Sequence, residues 1–249
     1  METNAGEKSR NGGDMTMRIT KAAVLITAVL LAAVVMPLWA FGQTEESADP
    51  AETGESAGTD WSALQEQYRQ DDTVQDLIFV KYEGNAKATL FLYEKDEWNN
   101  WEEVICCPAY TGSNGIDKLR EGDRRTPTGD FPITHAFGIK DDPGSQIEYL
   151  KVNNNHYWCA DEHYNQLVDV SKEKHSCRGE HLIDYTKQYA YAMNIGYNTE
   201  GTDGKGSAIF LHCFGYCQYT LGCVAVAEEN MIKLLQHCGP GTRICIYEK

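Results

Sequence analysis

The sequence predicts a mostly β domain with a few short helices, and three observations carry that expectation. Apolar residues fall in runs of strand length, at residues 76–82, 88–93, 101–109, 189–197, 208–212, 222–227 and 242–247, and β-branched and aromatic side chains recur among them. Turn-forming residues punctuate the runs, with Gly84-Asn85, residues 96–100 and Gly239-Pro240-Gly241 in the gaps. Helical periodicity surfaces only twice, at Trp61, Leu64 and Tyr68 and again at Met231, Leu234, Leu235 and Cys238.

Taken in order, the chain opens with a segment of a different kind. Residues 22–41 are apolar apart from Thr27 and Pro37, and about 20 residues at about 1.5 Å each span the ~30 Å of a hydrocarbon core. Arg18 and Lys21 precede the run and no further base occurs before Arg69, which orients residues 1–41 with a cytoplasmic tip and exports the rest. Ala40-Phe41-Gly42 resembles a signal-peptide cleavage site, so an anchor and a cleaved signal both stand open. Residues 42–60 carry acids without a single base among Thr, Ser, Ala and Gly and read as an acidic disordered linker. Residues 61–249 then form one domain of ordinary globular composition.

The first helix, around Trp61, Leu64 and Tyr68, is expected to cap that domain by packing alone. The runs from 76 to 109 read as a meander of hairpins. Residues 112–130 are rich in glycine and charge, and Thr126-Pro127-Thr128-Gly129 fits a turn with Pro second and Gly fourth, so a functional loop is expected there. The second helix ends at Gly239-Pro240-Gly241. Acids outnumber bases 37 to 22, for a net charge of −15, which excludes a nucleic-acid binder held by phosphate neutralisation.

The richest chemistry lies between Ser207 and Met231. An apolar run, Ala208-Ile209-Phe210-Leu211, delivers His212, and eight residues later Thr220-Leu221-Gly222-Cys223 opens another. Adjacent strand edges would bring His212 beside Cys223. Imidazole takes the thiol proton, an ion pair holds a thiolate near neutral pH, and Gly222 lets a substrate carbonyl approach the backbone. Backbone N–H groups at Gly222 and Cys223 are candidates for an oxyanion hole. Buried Cys and His are common in any core, so spacing alone leaves a structural role open for both.

The chain resembles a known family, the L,D-transpeptidases with a YkuD-type catalytic domain that act on bacterial peptidoglycan. The likeness rests on Ala109-Tyr110-Thr111-Gly112 with Gly115, Gly122-Asp123-Arg124-Arg125-Thr126-Pro127-Thr128-Gly129-Asp130-Phe131, Ala136-Phe137-Gly138 and Asp142-Pro143-Gly144. It continues through Tyr164-Asn165, Glu180-His181-Leu182, Tyr197-Asn198, Gly206-Ser207-Ala208-Ile209-Phe210-Leu211-His212 and Thr220-Leu221-Gly222-Cys223-Val224-Ala225. The resemblance implies a β sandwich or barrel-like body, Cys223 as nucleophile, His212 as base, and Thr220 and Gly222 as shapers of the site. It implies a stem-tetrapeptide substrate, cut between the diamino acid and the terminal D-Ala through a thioester, with no cofactor. Tyr216 falls where the family often has an aromatic wall, although an ordinary core role fits it equally. Arg125 is a candidate partner for a substrate carboxylate, with a surface ion pair as the alternative.

Two positions depart from the commonest family motif, which has His directly before the Gly and Arg or Asn two residues after the Cys; here these are Leu221 and Ala225. Hydrolysis by a carboxypeptidase or amidase of the same fold therefore stays open. Setting Cys223 aside leaves eight cysteines, which in an exported chain invite disulfides of unassigned connectivity. Cys217 paired with Cys223 would silence the nucleophile. A zinc set drawn from His212, Cys213, Cys217, Cys223, His237 and Cys238 would instead make the domain a non-catalytic wall-binding module. The other histidines show no catalytic spacing, and the domain is expected to be a monomer with no metal.

Overall fold

The computed structural model describes residues 61–174 and 176–248; the apolar run at 22–41 and the acidic stretch at 42–60 lie outside them. Among the described residues no helix is long and apolar enough to cross a membrane.

Alternation and turn chemistry build the first three strands. Strands β1 (Asp76–Gly84), β2 (Lys87–Lys95) and β3 (Trp101–Tyr110) pair antiparallel in succession. Along β2, Ala88, Leu90 and Leu92 are buried while Lys87 is exposed and Thr89 and Phe91 are half-buried, the two-residue period that turns one face inward. The later elements are β4 (Gly129–Gly138), β5 (Tyr149–Lys151), β6 (His156–Cys159), β7 (Gln166–Asp169), β8 (Gly179–His181), β9 (Ala192–Ile195), β10 (Phe210–Cys213), β11 (Val224–Val226) and β12 (Arg243–Glu248), with helices α1 (Trp61–Arg69) and α2 (Glu228–His237).

The main sheet runs β12-β1-β2-β3-β11-β10-β9-β4-β5, and β12 also pairs with β4. That last pairing closes the sheet into a barrel, leaving β5 on its rim and no long unpaired edge. Most neighbours are antiparallel, but β1 runs parallel to β12, β10 to β11 and β4 to β5. The barrel interior is aliphatic. Val80, Leu90, Leu92, Met193, Ile195, Leu211, Val224, Val226, Ile244 and Ile246 fill it, and α2 adds Met231, Leu234 and Leu235.

Outward-facing residues of the barrel are covered twice. On β1 and β12, Leu77, Phe79 and Cys245 pack under α1, where Trp61 stacks on Phe79 at 4.4 Å; this is the packing role expected of that helix. On β4, β9 and β10, Phe137, Ala192 and Phe210 meet Val152, Trp158, Leu182 and Tyr189. These come from the excursion between β4 and β9, which folds its own sheet in the order β7-β6-β8.

The structure differs from the sequence reading at several elements. The long strand β4 lies where a loop was expected to end, because Gly129, Pro132 and His135 interrupt its apolar pattern. The run at 189–197 begins as a 3-10 turn, and only Ala192–Ile195 is strand. The runs at 208–212 and 222–227 start late, since Ala208 has φ 56° and Gly222 φ 145°. Both residues therefore form turns that set the direction of the strands after them.

Candidate active site

Strands β10 and β11 run side by side, with Leu211 opposite Val224 and His212 opposite Ala225. Parity then places Phe210 and His212 on one face with Cys223 and Ala225, and Leu211 and Cys213 on the other with Val224 and Val226. The sequence-predicted pair is thus brought to one outer face of the barrel, His212 on β10 and Cys223 immediately before β11. His212 is buried at 7% exposure. Its Nδ1 lies 2.7 Å from the carbonyl oxygen of Cys213; a carbonyl only accepts, so Nδ1 carries the proton and Nε2 is left as the base.

The thiol of Cys223 donates to the Ala208 carbonyl at 3.2 Å, and its sulfur receives the Phe210 N–H at 3.4 Å. Burial pushes the His212 imidazole down to about 4, against the Cys213 carbonyl, which raises it. Burial likewise pushes the Cys223 thiol up to about 12, aided by the negative charge of Glu180 and opposed by the Phe210 N–H and Lys118. The resting pair is therefore neutral thiol and neutral imidazole. Both shifts run against the expected ion pair, because desolvation disfavours the charged form of each group.

Hydroxyls hold the turn that delivers the cysteine. Thr220 Oγ1 donates to the Cys223 carbonyl at 2.7 Å and accepts the Gly222 N–H at 3.1 Å. Thr126 Oγ1 donates to the same carbonyl at 3.2 Å and accepts the Gly112 N–H at 2.8 Å. The expected loop at 112–130 thus braces the backbone at Cys223. A Cβ on Gly222 would stand 3.1 Å from the Arg125 carbonyl oxygen at a φ that L side chains rarely adopt, so glycine is required there. Because the Gly222 N–H is taken by Thr220, Gly222 shapes the turn rather than offering an oxyanion donor.

The excursion contributes further residues, of which Asn165 and Glu180 lie in the motifs quoted above and Tyr189 carries no such signal. Tyr189 sets its ring edge-on to His212 with centroids 5.8 Å apart and donates its hydroxyl to Glu180. Burial raises the Glu180 carboxyl, and the Tyr189 hydrogen bond lowers it. Asn165 is a hub: its Oδ1 accepts Trp158 Nε1 and Ala208 N–H, each at 3.1 Å, and its Nδ2 reaches the carbonyls of Tyr197 and Asn198. It thereby holds Ala208 in the strained conformation that points its carbonyl at the thiol. The motif at Tyr164-Asn165 was visible in the sequence; its bracing role was not.

The remaining predicted residues are less central. Tyr216 is 79% exposed, with Lys187 Nζ 3.9 Å from its ring centre, so it is no core tyrosine. Arg125 gives one guanidinium nitrogen to the Ile116 carbonyl at 2.8 Å and, with Arg120, Arg124 and Asp123, lines a cleft of about 420 Å³. Cys217 is exposed, whereas the Cys223 thiol is directed at Ala208. Among the described residues, the one group able to converge on a metal ion is Cys159, Asp161 and Cys177. The zinc set drawn from His212, Cys213, Cys217, Cys223, His237 and Cys238 is not gathered, because parity sends His212 and Cys213 to opposite faces of β10.

Comparison with known proteins bears on this geometry. The family model of the YkuD L,D-transpeptidase catalytic domain matches residues 77–246. No curated protein matches the chain. Two solved structures are similar at low identity. One is a fused Zn-dependent amidase/peptidase/peptidoglycan-binding domain-containing protein from Clostridium acetobutylicum, at 16% identity and TM-score 0.35, with 80% of this chain and 63% of that one covered. The other is the L,D-transpeptidase from Xylanimonas cellulosilytica, at 15% identity and TM-score 0.32, with 75% and 68% covered. The chain spans less than two thirds of the first of these structures. The family match reaches from β1 into β12 and contains both His212 and Cys223, and the chain belongs to the L,D-transpeptidase catalytic-domain family.

Proposed function

We propose that this protein is an extracytoplasmic peptidoglycan L,D-transpeptidase in which Cys223 is the nucleophile and His212 the base. The observation that carries the reading is the placement of both side chains on one face, His212 on β10 and Cys223 immediately before the parallel strand β11, with the imidazole tautomer set by the Cys213 carbonyl.

Family membership supports a stem tetrapeptide as substrate. Cys223 Sγ attacks the carbonyl between the diamino acid and the terminal D-Ala, and its proton passes to His212 Nε2. The N–H of Cys223 meets the developing oxyanion, since that of Gly222 is engaged by Thr220. Collapse of the tetrahedral adduct breaks the C–N bond, and D-Ala leaves with the proton from His212. An acceptor amine then attacks the thioester, His212 takes a proton from it, and the thiol is restored. A neutral resting pair suits this order: proton transfer is coupled to attack, so no stable thiolate is stored in the site. Arg125 at the cleft and the exposed Tyr216 are proposed contacts for substrate carboxylate and substrate face. An apolar run at 22–41 would hold the enzyme at the membrane if uncleaved, and the domain is proposed to act as a monomer without cofactor or nucleic acid.

Intact-mass spectrometry of the full-length chain with a purified tetrapeptide muropeptide and a separate acceptor amine tests the proposal. The expected result is a thioester adduct lacking terminal D-Ala, absent in Cys223→Ala, and product carrying the acceptor. D-Ala release without transfer would assign hydrolysis instead. No adduct and no release from folded, reduced protein would overturn the enzymatic reading.

A further inference from the structure

The small sheet of β7, β6 and β8 carries a pair of sulfurs that the reaction does not use. Cys159 at the end of β6 lies opposite Gly179 of β8, and the Ala160 N–H continues the pairing to the Arg178 carbonyl at 3.0 Å. The two-residue period then turns Cys159, Asp161 and Cys177 to the same side. Their sulfur and oxygen atoms all lie within 4.8 Å of one another. Close approach of the two strands depends on Gly179, where a Cβ would fall 2.0 Å from the Trp158 carbonyl oxygen.

Cys159 is wholly buried and Cys177 half-buried. The Cys159 thiol donates to Asp161 Oδ1 at 2.7 Å, while Asp161 Oδ2 accepts the N–H and Nε of Arg178 at 3.0 and 3.3 Å. Both carboxylate oxygens are thus engaged within the protein. The Cys177 thiol is hydrogen-bonded to Cys159, and burial, with Cys159 and the Asp161 charge, pushes it up to about 12. Two protonated thiols beside a carboxylate are poor ligands and poor nucleophiles, but removing their protons as a covalent bond relieves the crowding.

We propose that Cys159 and Cys177 form a structural disulfide that staples β6 to the start of β8. The inference rests on the extracytoplasmic reading above, since such bonds persist outside the reducing cytosol. The two thiols lose two protons and two electrons. The electrons pass to an exchanging disulfide, of a thiol–disulfide oxidoreductase or a small organic disulfide, which is reduced to its dithiol. The residue after Gly179 is Glu180, which accepts the Tyr189 hydroxyl beside His212. The staple therefore fixes the strand that presents Glu180 to the active face.

The test uses the full-length chain, expressed with export, purified without reductant and blocked with N-ethylmaleimide before non-reducing peptide mapping. The expected result is one linked peptide pair joining Cys159 to Cys177, which separates on reduction. Tm is expected to fall by about 5–10 °C on reduction, as closing a loop of this length predicts, with no further fall in a Cys159→Ser/Cys177→Ser variant. If the double variant fails to fold, Cys177→Ser alone gives the same comparison at the half-buried partner. Both cysteines found alkylated in never-reduced protein would overturn the proposal. So would one equivalent of bound zinc that disappears in Cys177→Ser. D-Ala release is measured on the same sample: an active chain without the link sinks only the staple, and a linked but inactive chain supports the staple and sinks the catalytic reading.

Discussion

Cys213 and Cys223 sit one β-strand apart, on opposite faces of the same barrel wall. Both thiols are pushed up to about 12 by burial. Cys213 points into the aliphatic interior and donates to the Tyr191 carbonyl at 3.5 Å. Cys223 points outward into an aromatic cluster that also holds His212, the Tyr189 hydroxyl and the Glu180 carboxyl. Desolvation is therefore common to both, and it disfavours thiolate in both. What differs is the presence of a proton acceptor on the same face and an opening through which substrate can arrive. In this barrel wall the proposed nucleophile differs from its neighbour by strand parity and by partial exposure, since Cys213 is fully buried and Cys223 is half-buried.

The largest expected effect breaks that comparison outright. Cys223→Ala is expected to lower D-Ala release by about 10⁴-fold or more, and His212→Gln by about 10²–10⁴-fold, whereas Cys213→Ala leaves the rate unchanged; steady-state kinetics on tetrapeptide muropeptide checks all three. A rate loss in Cys213→Ala equal to that in Cys223→Ala, with the fold intact, would erase the distinction between the faces.

Acid stability sharpens it next. Folded His212 is held near 4 and an unfolded histidine near 6.5, so between those values the unfolded chain binds a proton that the folded chain refuses. Stability is therefore lost as pH falls through that window, by about 3 kcal/mol in full. Denaturant unfolding at pH 7 and pH 4.5 should show a drop smaller by about 2–3 kcal/mol in His212→Gln than in the parent. Equal drops would mean that His212 is solvated.

Two smaller effects complete the comparison. Cys213→Ala removes a buried sulfur and its hydrogen bond, and is expected to destabilise the domain by about 1–2 kcal/mol in equilibrium unfolding. Ala208 adopts φ 56°, and Ala208→Gly is expected to stabilise by up to about 1 kcal/mol through relief of left-handed strain. The same change loosens the carbonyl that receives the Cys223 thiol. Thermal unfolding and alkylation rate of Cys223, measured together, separate the two consequences.

Legibility of the fold from sequence tracked element length. The hairpins β1 to β3, both helices and the strands β10, β11 and β12 each had a run or period long enough to read, although the loop side of β10 and β11 was overrun by two residues at one end. Strand β4 escaped because Gly129, Pro132 and His135 break its pattern, and its partners on both sides come from distant sequence. Strands β5 to β8 are three or four residues long, too short for periodicity to rise above noise. At the candidate site, His212 and Cys223 stood out in the sequence because the ordered motifs around them resemble a known family. Tyr189 and the contacts made by Glu180 and Thr126 did not, since each acts across a gap in sequence that only the fold closes.

The sequence by itself determined which residue types could do the chemistry and, through strand parity, that His212 and Cys213 must face opposite ways. Only the tertiary structure decided which of those faces was the sealed barrel interior, because that depends on β12 closing onto β4. It also set how strongly each group of the pair is desolvated. Spacing suggested a charged imidazolium and thiolate, but the excursion between β4 and β9 packs over them and withdraws water, so burial disfavours both charges.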